Sequence, residues 1–177
     1  MLDKLTFTTI VGTTLVVETI MLFLFRFTKT PFSGPYINRW YTNLRWSAII
    51  LDITIFIIGF YLAKYVYSYL LRKKIISDKN SIRNYLLILL TIQIIHDILF
   101  YKLIIQKSKK GMSPVMDEFK HYSKGAGINA IAGDSFMYLL SIPVLLQVSK
   151  LQTQEIQVLS TFCLYLLGYF VYQKPLA

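Results

Sequence analysis

The apolar residues of this chain gather into five stretches, at residues 5–25, 46–68, 85–106, 128–148 and 156–172. A helix needs roughly 20 apolar residues to cross a bilayer. The first four stretches approach or exceed that length, and the fifth, IQVLSTFCLYLLGYFVY, lies near the lower limit. The pattern predicts an all-α integral membrane protein, a bundle of about five transmembrane helices. The connecting segments carry too few apolar residues to build a separate soluble core, so residues 1–177 read as a single transmembrane domain. The first stretch is too long for a signal-peptide core and lacks a small-x-small site before Arg26. It is expected to stay as the first helix.

Two connections carry a pattern of their own. In the first loop, TPFSGPYINRWYTNLRW, the residues Pro31, Gly34 and Pro35 enforce turns, while Tyr36, Trp40, Tyr41 and Trp46 suit headgroup depth. This loop is expected to lie along the interface. In the third loop Val115, Met116, Phe119 and Tyr122 recur at helical spacing, with Gly125 and Gly127 as a stop. That predicts a short amphipathic interfacial helix, lying on the bilayer or on a partner.

Composition agrees with this reading. At 55% hydrophobic, 15% aromatic and a mean hydropathy of +0.51, the chain is unlike a soluble domain of its length. Its formal net charge is +10, and the basic residues sit almost entirely between the stretches. With five crossings, Arg26, Lys29, Arg39, Arg45, Lys102, Lys107, Lys109, Lys110, Lys120, Lys124 and Lys174 share one side. Opposite lie Lys4, Arg72, Lys73, Lys74, Lys79, Arg83 and Lys150, eleven against seven with Lys64 left aside inside the second helix. The positive-inside rule then favours an outside N-terminus and an inside C-terminus. Basic rims also attract anionic headgroups, at about 1 kcal/mol per Lys or Arg, so the expected partners are a bilayer with anionic headgroups and another membrane or capsid protein. No segment interleaves basic and aromatic residues strongly enough to suggest nucleic acid.

Four of the nine acidic residues fall inside the apolar stretches: Glu18, Asp52, Asp97 and Asp134. An Asp at the centre of a membrane helix costs about 2.5–3.5 kcal/mol on insertion scales, so each needs a reason. Counted at roughly 1.5 Å per residue from the ends facing loops one and three, all four lie about 9–14 Å deep. The helices alternate in direction, so this agreement is more than shared sequence offset. Acids at one depth, facing the bundle, would form a polar cluster with Gln93, His96, Asn129, Thr54 and Tyr101 as available partners. Several ionised acids do not sit together uncompensated. Arg45, seven residues before Asp52, and Lys102, five after Asp97, are the expected charge partners.

The chemistry of the cluster has three readings. The bland one is an interhelical hydrogen-bond network, each bond worth about 0.6–2 kcal/mol. The second is a proton or cation path, to which Pro143 adds a freed carbonyl at Leu139 in the fourth stretch. The third is an intramembrane enzyme acting on a lipid, with His96 and Asp97 as acid/base candidates. Adjacent helical residues point about 100° apart, so those two are not expected to form a dyad by themselves. No catalytic, metal or cofactor motif is present. Cys163 stands alone, which excludes a disulfide framework, and reads as a small apolar packing residue.

The segments NRWYTNLRWSAIILDITIFIIGFYLAKYVY, IQIIHDILFY and INAIAGDSFMYLLSIP, covering residues 40–143 or so, resemble small polytopic membrane proteins of large double-stranded DNA viruses, algal and amoebal ones among them. The resemblance implies a multi-pass protein of a viral internal or host membrane, and brings no assigned chemistry. The leading functional expectation is therefore structural or scaffolding, with basic loops on anionic headgroups or an acidic partner. Proton or cation transport and lipid enzymology stand as the alternatives.

Overall fold

The computed structural model describes residues 5–175. Lys4, part of the charge balance above, lies outside them. Among these residues seven α-helices follow one another: α1 Phe7–Phe27, α2 Pro35–Leu44, α3 Trp46–Arg72, α4 Ser81–Phe100, α5 Pro114–Ala126, α6 Ile128–Val148 and α7 Thr153–Tyr172. No strand occurs among the described residues. Five of their helical segments are long and apolar enough to cross a membrane, at Phe7–Phe27, Trp46–Arg72, Asp78–Ile105, Ile128–Val148 and Thr153–Tyr172. The architecture is that of an all-α, multi-pass membrane protein.

The helices run where the apolar stretches predict, and the differences at their ends have local causes. α7 starts before the apolar run because Gln152 caps it: Glu155 Oε2 accepts from the Gln152 backbone N–H at 2.7 Å, closing a capping box. With that polar first turn, the short fifth stretch becomes a helix of 20 residues. α4 does not run on as plain α-helix to residue 106. It widens into a π turn at Tyr101–Ile105. Pro143 sits inside α6 without interrupting it.

α1 occupies the centre, packed on α7, α6 and α3, while α4 bridges α3 and α6. On α1 the hydroxyls of Thr14 and Thr19 cost little, since they donate to the Ile10 and Leu15 carbonyls at 2.9 and 2.7 Å, whereas Thr13 Oγ1 is buried with no partner. Gly12 permits the close approach of α7, because a Cβ there would stand 2.5 Å from Ile156 Cγ2. Between α3 and α6 the rings of Phe56 and Tyr138 stack at 4.1 Å. Tyr85 Oη, from α4, donates to the Phe60 carbonyl of α3 at 2.9 Å.

Pro31 and Gly34 lie in the turns expected of the first loop, but the turn does not extend past Gly34. Residues 35–44 form α2, a helix that was not expected, and the reason lies in their spacing. Ile37, Trp40, Tyr41 and Leu44 are buried at i, i+3, i+4 and i+7, and Pro35 stands in the first helical turn, where its missing N–H costs nothing. Arg45, at φ 49°, breaks the chain sharply so that α3 starts at Trp46. The helix expected in the third loop is α5; its stop is Gly127 at φ 54°, while Gly125 remains inside the helix.

α2 and α5 pack on each other. Trp40 meets Phe119 with ring centroids 4.6 Å apart. Arg39 Nε and Nη2 donate to the two Glu118 carboxylate oxygens, each at 3.0 Å, and Asn43 Nδ2 adds a third bond at 2.9 Å. The pair forms a roof over the side of the bundle that bears loops one and three. α5 therefore lies on a partner helix of its own chain.

Candidate functional site

Beneath this roof the four intramembrane acids converge from four helices. Glu18, on α1, is 1% exposed. Its Oε1 accepts from Tyr41 Oη at 3.0 Å, and the same hydroxyl lies 3.2 Å from Asp52 Oδ2 on α3. One hydroxyl carries one hydrogen, so Tyr41 satisfies one of the two carboxyls at a time. Glu18 Oε2 is left buried with no partner. Tyr41 is held as the neutral phenol, its pKa pushed well above the ordinary value by burial first and then by the charges of Glu18 and Asp52.

The other pair joins α4 to α6. Gln93 Nε2 donates to Asp97 Oδ2, and Gln93 Oε1 accepts from Ser135 Oγ at 2.8 Å. Asp134, on α6, shares a cavity wall with Asp97. His96 Nδ1 stands 3.0 Å from Asp97 Oδ1, and its ring stacks on Phe100. The 100° argument against a His96–Asp97 contact is thus corrected: both side chains are short enough to lean together across one step of the helix, and Nδ1 is the ring nitrogen nearer the backbone.

Two cavities reach the cluster. The first, of about 310 Å³, lies under α2 and α5 and is bordered by Asp52, Asp134, Tyr41 and Asn129. The second, of about 400 Å³, runs between the π turn, α5 and the start of α6, with Asp97, Asp134, Tyr101 and Lys102 on its wall. Asp134 borders both. Asp52, Asp97 and Asp134 are half-buried, each with a cavity beside it.

The basic partners proposed from the sequence do not pair with the acids. Among the described residues no Lys or Arg nitrogen lies within 4.0 Å of Glu18, Asp52, Asp97 or Asp134. Arg45 is turned away by its positive φ and sits over the Tyr172 ring, 5.1 Å from its centroid. Lys102 shares the second cavity with Asp97 but remains exposed. Thr54 is exposed on α3, away from the cluster. Arg26, counted with the first loop, is instead buried at the end of α1, donating from Nη2 to the Gln173 carbonyl at 2.7 Å.

Tyr41, Trp40, Tyr122 and Ser135 are members that reading along the chain did not find. The spacing of Trp40 and Tyr41 with Ile37 and Leu44 was the available signal, since it marks one helical face. Among the described residues no three His, Cys, Asp or Glu side chains are grouped to hold a metal ion. No protein-family model matches the chain, and no curated protein or solved structure matches it.

Proposed function

We propose that the acid cluster takes up positive charge, a proton or a cation, from the side of loops one and three, as the loading step of transport. The observation that carries this reading is that, among the described residues, no Lys or Arg partners any of the four carboxyls, three of which, Asp52, Asp97 and Asp134, border open space. Carboxyls serving only as an interhelical network would be packed and fully paired. A carboxyl beside a cavity at membrane depth, with an unpartnered oxygen behind it, is arranged to receive a charge from outside. The test is flux in liposomes containing the full chain. Asp52→Asn and Asp134→Asn should abolish proton or cation uptake while retaining a cooperative thermal transition. Uptake that persists in both folded variants would return the cluster to a purely structural role.

A second reading keeps the scaffolding role, and the roof favours it. α5 and the loop before it present Lys107, Lys109, Lys110 and Lys124, all exposed, at the headgroup side of the bundle. On this reading anionic lipid, or an acidic capsid or membrane protein, sits on that face, in a viral internal membrane as the sequence resemblance implies. Mass spectrometry of the purified chain should then show retained anionic lipid that is lost when these lysines become Gln. The lipid-enzyme alternative gains no support, since His96 borders neither cavity.

A further inference from the structure

We propose that the cavity under α2 and α5 is a binding site for an organic ammonium group. The inference rests on the reading of the acid cluster as a receiver of positive charge, and narrows the class of charge it takes. The walls decide the class. Phe25, Phe32, Trp40, Tyr41, Phe119 and Tyr122 line a space of about 310 Å³, with Asp52 and Asp134 on its wall and no Lys, Arg or His among its lining residues. The rings are held by one another: Trp40 against Phe119 at 4.6 Å and Tyr122 at 5.9 Å, and Phe25 against Phe32 at 6.0 Å.

An inorganic cation needs several oxygens around it at short range, whereas here the oxygens of Asp52, Asp134 and Asn129 share a wide wall with those six aromatic rings. A substituted ammonium is larger and carries its charge on an apolar surface. Aromatic faces attract it through their quadrupoles, and carboxylates neutralise it. The space exceeds what a proton or a bare metal ion needs and suits a small amine. Behind the wall Tyr41 joins Asp52 to Glu18, whose Oε2 is buried without a partner, so carboxyl oxygens continue inward from the cage. Pro31, Pro35 and Tyr36, all exposed, form the mouth. Loop one thus places the entrance at headgroup level, where both a free amine and the ammonium of a lipid headgroup are within reach.

The chain has two tryptophans, so Trp46→Phe leaves Trp40 as the sole indole and a reporter inside the cage. With this chain in phosphatidylglycerol nanodiscs, tetramethylammonium and choline should each give a saturable change in Trp40 emission. 3,3-Dimethylbutanol, the uncharged isostere of choline, and potassium at equal concentration should give none. Asp134→Asn and Tyr122→Leu should each weaken the response by about tenfold, and Tyr122→Phe, which keeps the ring, should retain it. In phosphatidylcholine nanodiscs a response already saturated identifies the headgroup as occupant. One still titratable identifies a free amine. An equal response to the isostere overturns the proposal, even if the variants fail to fold. No response to ammonium while liposome uptake persists overturns the cage alone; loss of both overturns the cluster reading with it.

Discussion

Tyr41 joins three parts of the structure. Its ring borders the cavity, its hydroxyl lies between Glu18 and Asp52, and its backbone ends α2 by accepting from the Arg45 N–H at 2.9 Å. Tyr41→Phe keeps the ring and removes the donor that Glu18 and Asp52 share. It should lower stability by about 1–3 kcal/mol, read as a fall in the thermal midpoint in detergent, with a larger loss at a pH where both acids are ionised. Glu118 is the residue to watch at low pH. Hydrogen bonding from Arg39 holds its carboxyl below the usual range, against a smaller opposing effect of burial. A carboxyl lowered in the folded state stabilises above its ordinary pKa of about 4.3, and that contribution disappears as pH falls through the lowered value. The protection of α2 amides, measured against their intrinsic exchange at each pH, should therefore fall below pH ~4, and Glu118→Gln should lower it at neutral pH. Unchanged protection in the variant would mean that the aromatic contacts alone hold the roof.

Among the elements, the membrane helices were legible because length and apolarity suffice to define them. The bounds of α6, residues 128–148, coincide with the apolar stretch. Where polar chemistry set a boundary, legibility failed: the Gln152–Glu155 box added a first turn to α7 that an apolar count passes over. α2 was missed because two prolines and a glycine suggested turns, although one proline stands in the first helical turn and Ile37, Trp40, Tyr41 and Leu44 share a face. That the acids face one another inside the bundle was readable from helix length and direction. Their partners were not, because Tyr41 and Tyr122 arrive from short helices that the membrane pattern leaves out. At this scale the tightest crossing is α1 on α7. Gly12→Ala would drive a Cβ against Ile156 Cγ2, a branch close to the backbone that has little room to yield. It should destabilise by about 1–3 kcal/mol, seen as a lower thermal midpoint and faster proteolysis of α7. An Ile156→Ala change in the same chain should recover much of the loss, which a nonspecific defect in helix propensity would not allow.

For the molecule as a whole, both roof helices lie between crossings on the face that carries loops one and three, the face that the basic tally favours as the inner one. In a Cys163→Ala chain, single cysteines at Lys29 and Lys109 should react with a membrane-impermeant maleimide from the same side of sealed vesicles. One at Lys73 should react only from the other. Labelling of Lys29→Cys and Lys109→Cys from opposite sides would break the five-crossing arrangement. A different consequence follows from the central place of α1, whose most apolar window is 61% buried, against 22% for α7 and 17% for α4. Of these helices, the one made before its neighbours is the one that needs them most. During synthesis α1 must wait in lipid with Gly12, Thr13 and Glu18 uncovered until α6 and α7, the helices it packs on, have followed it. Its packing is therefore a late event in biogenesis, and a chain halted before α7 would hold α1 only as a loose tenant of the bilayer.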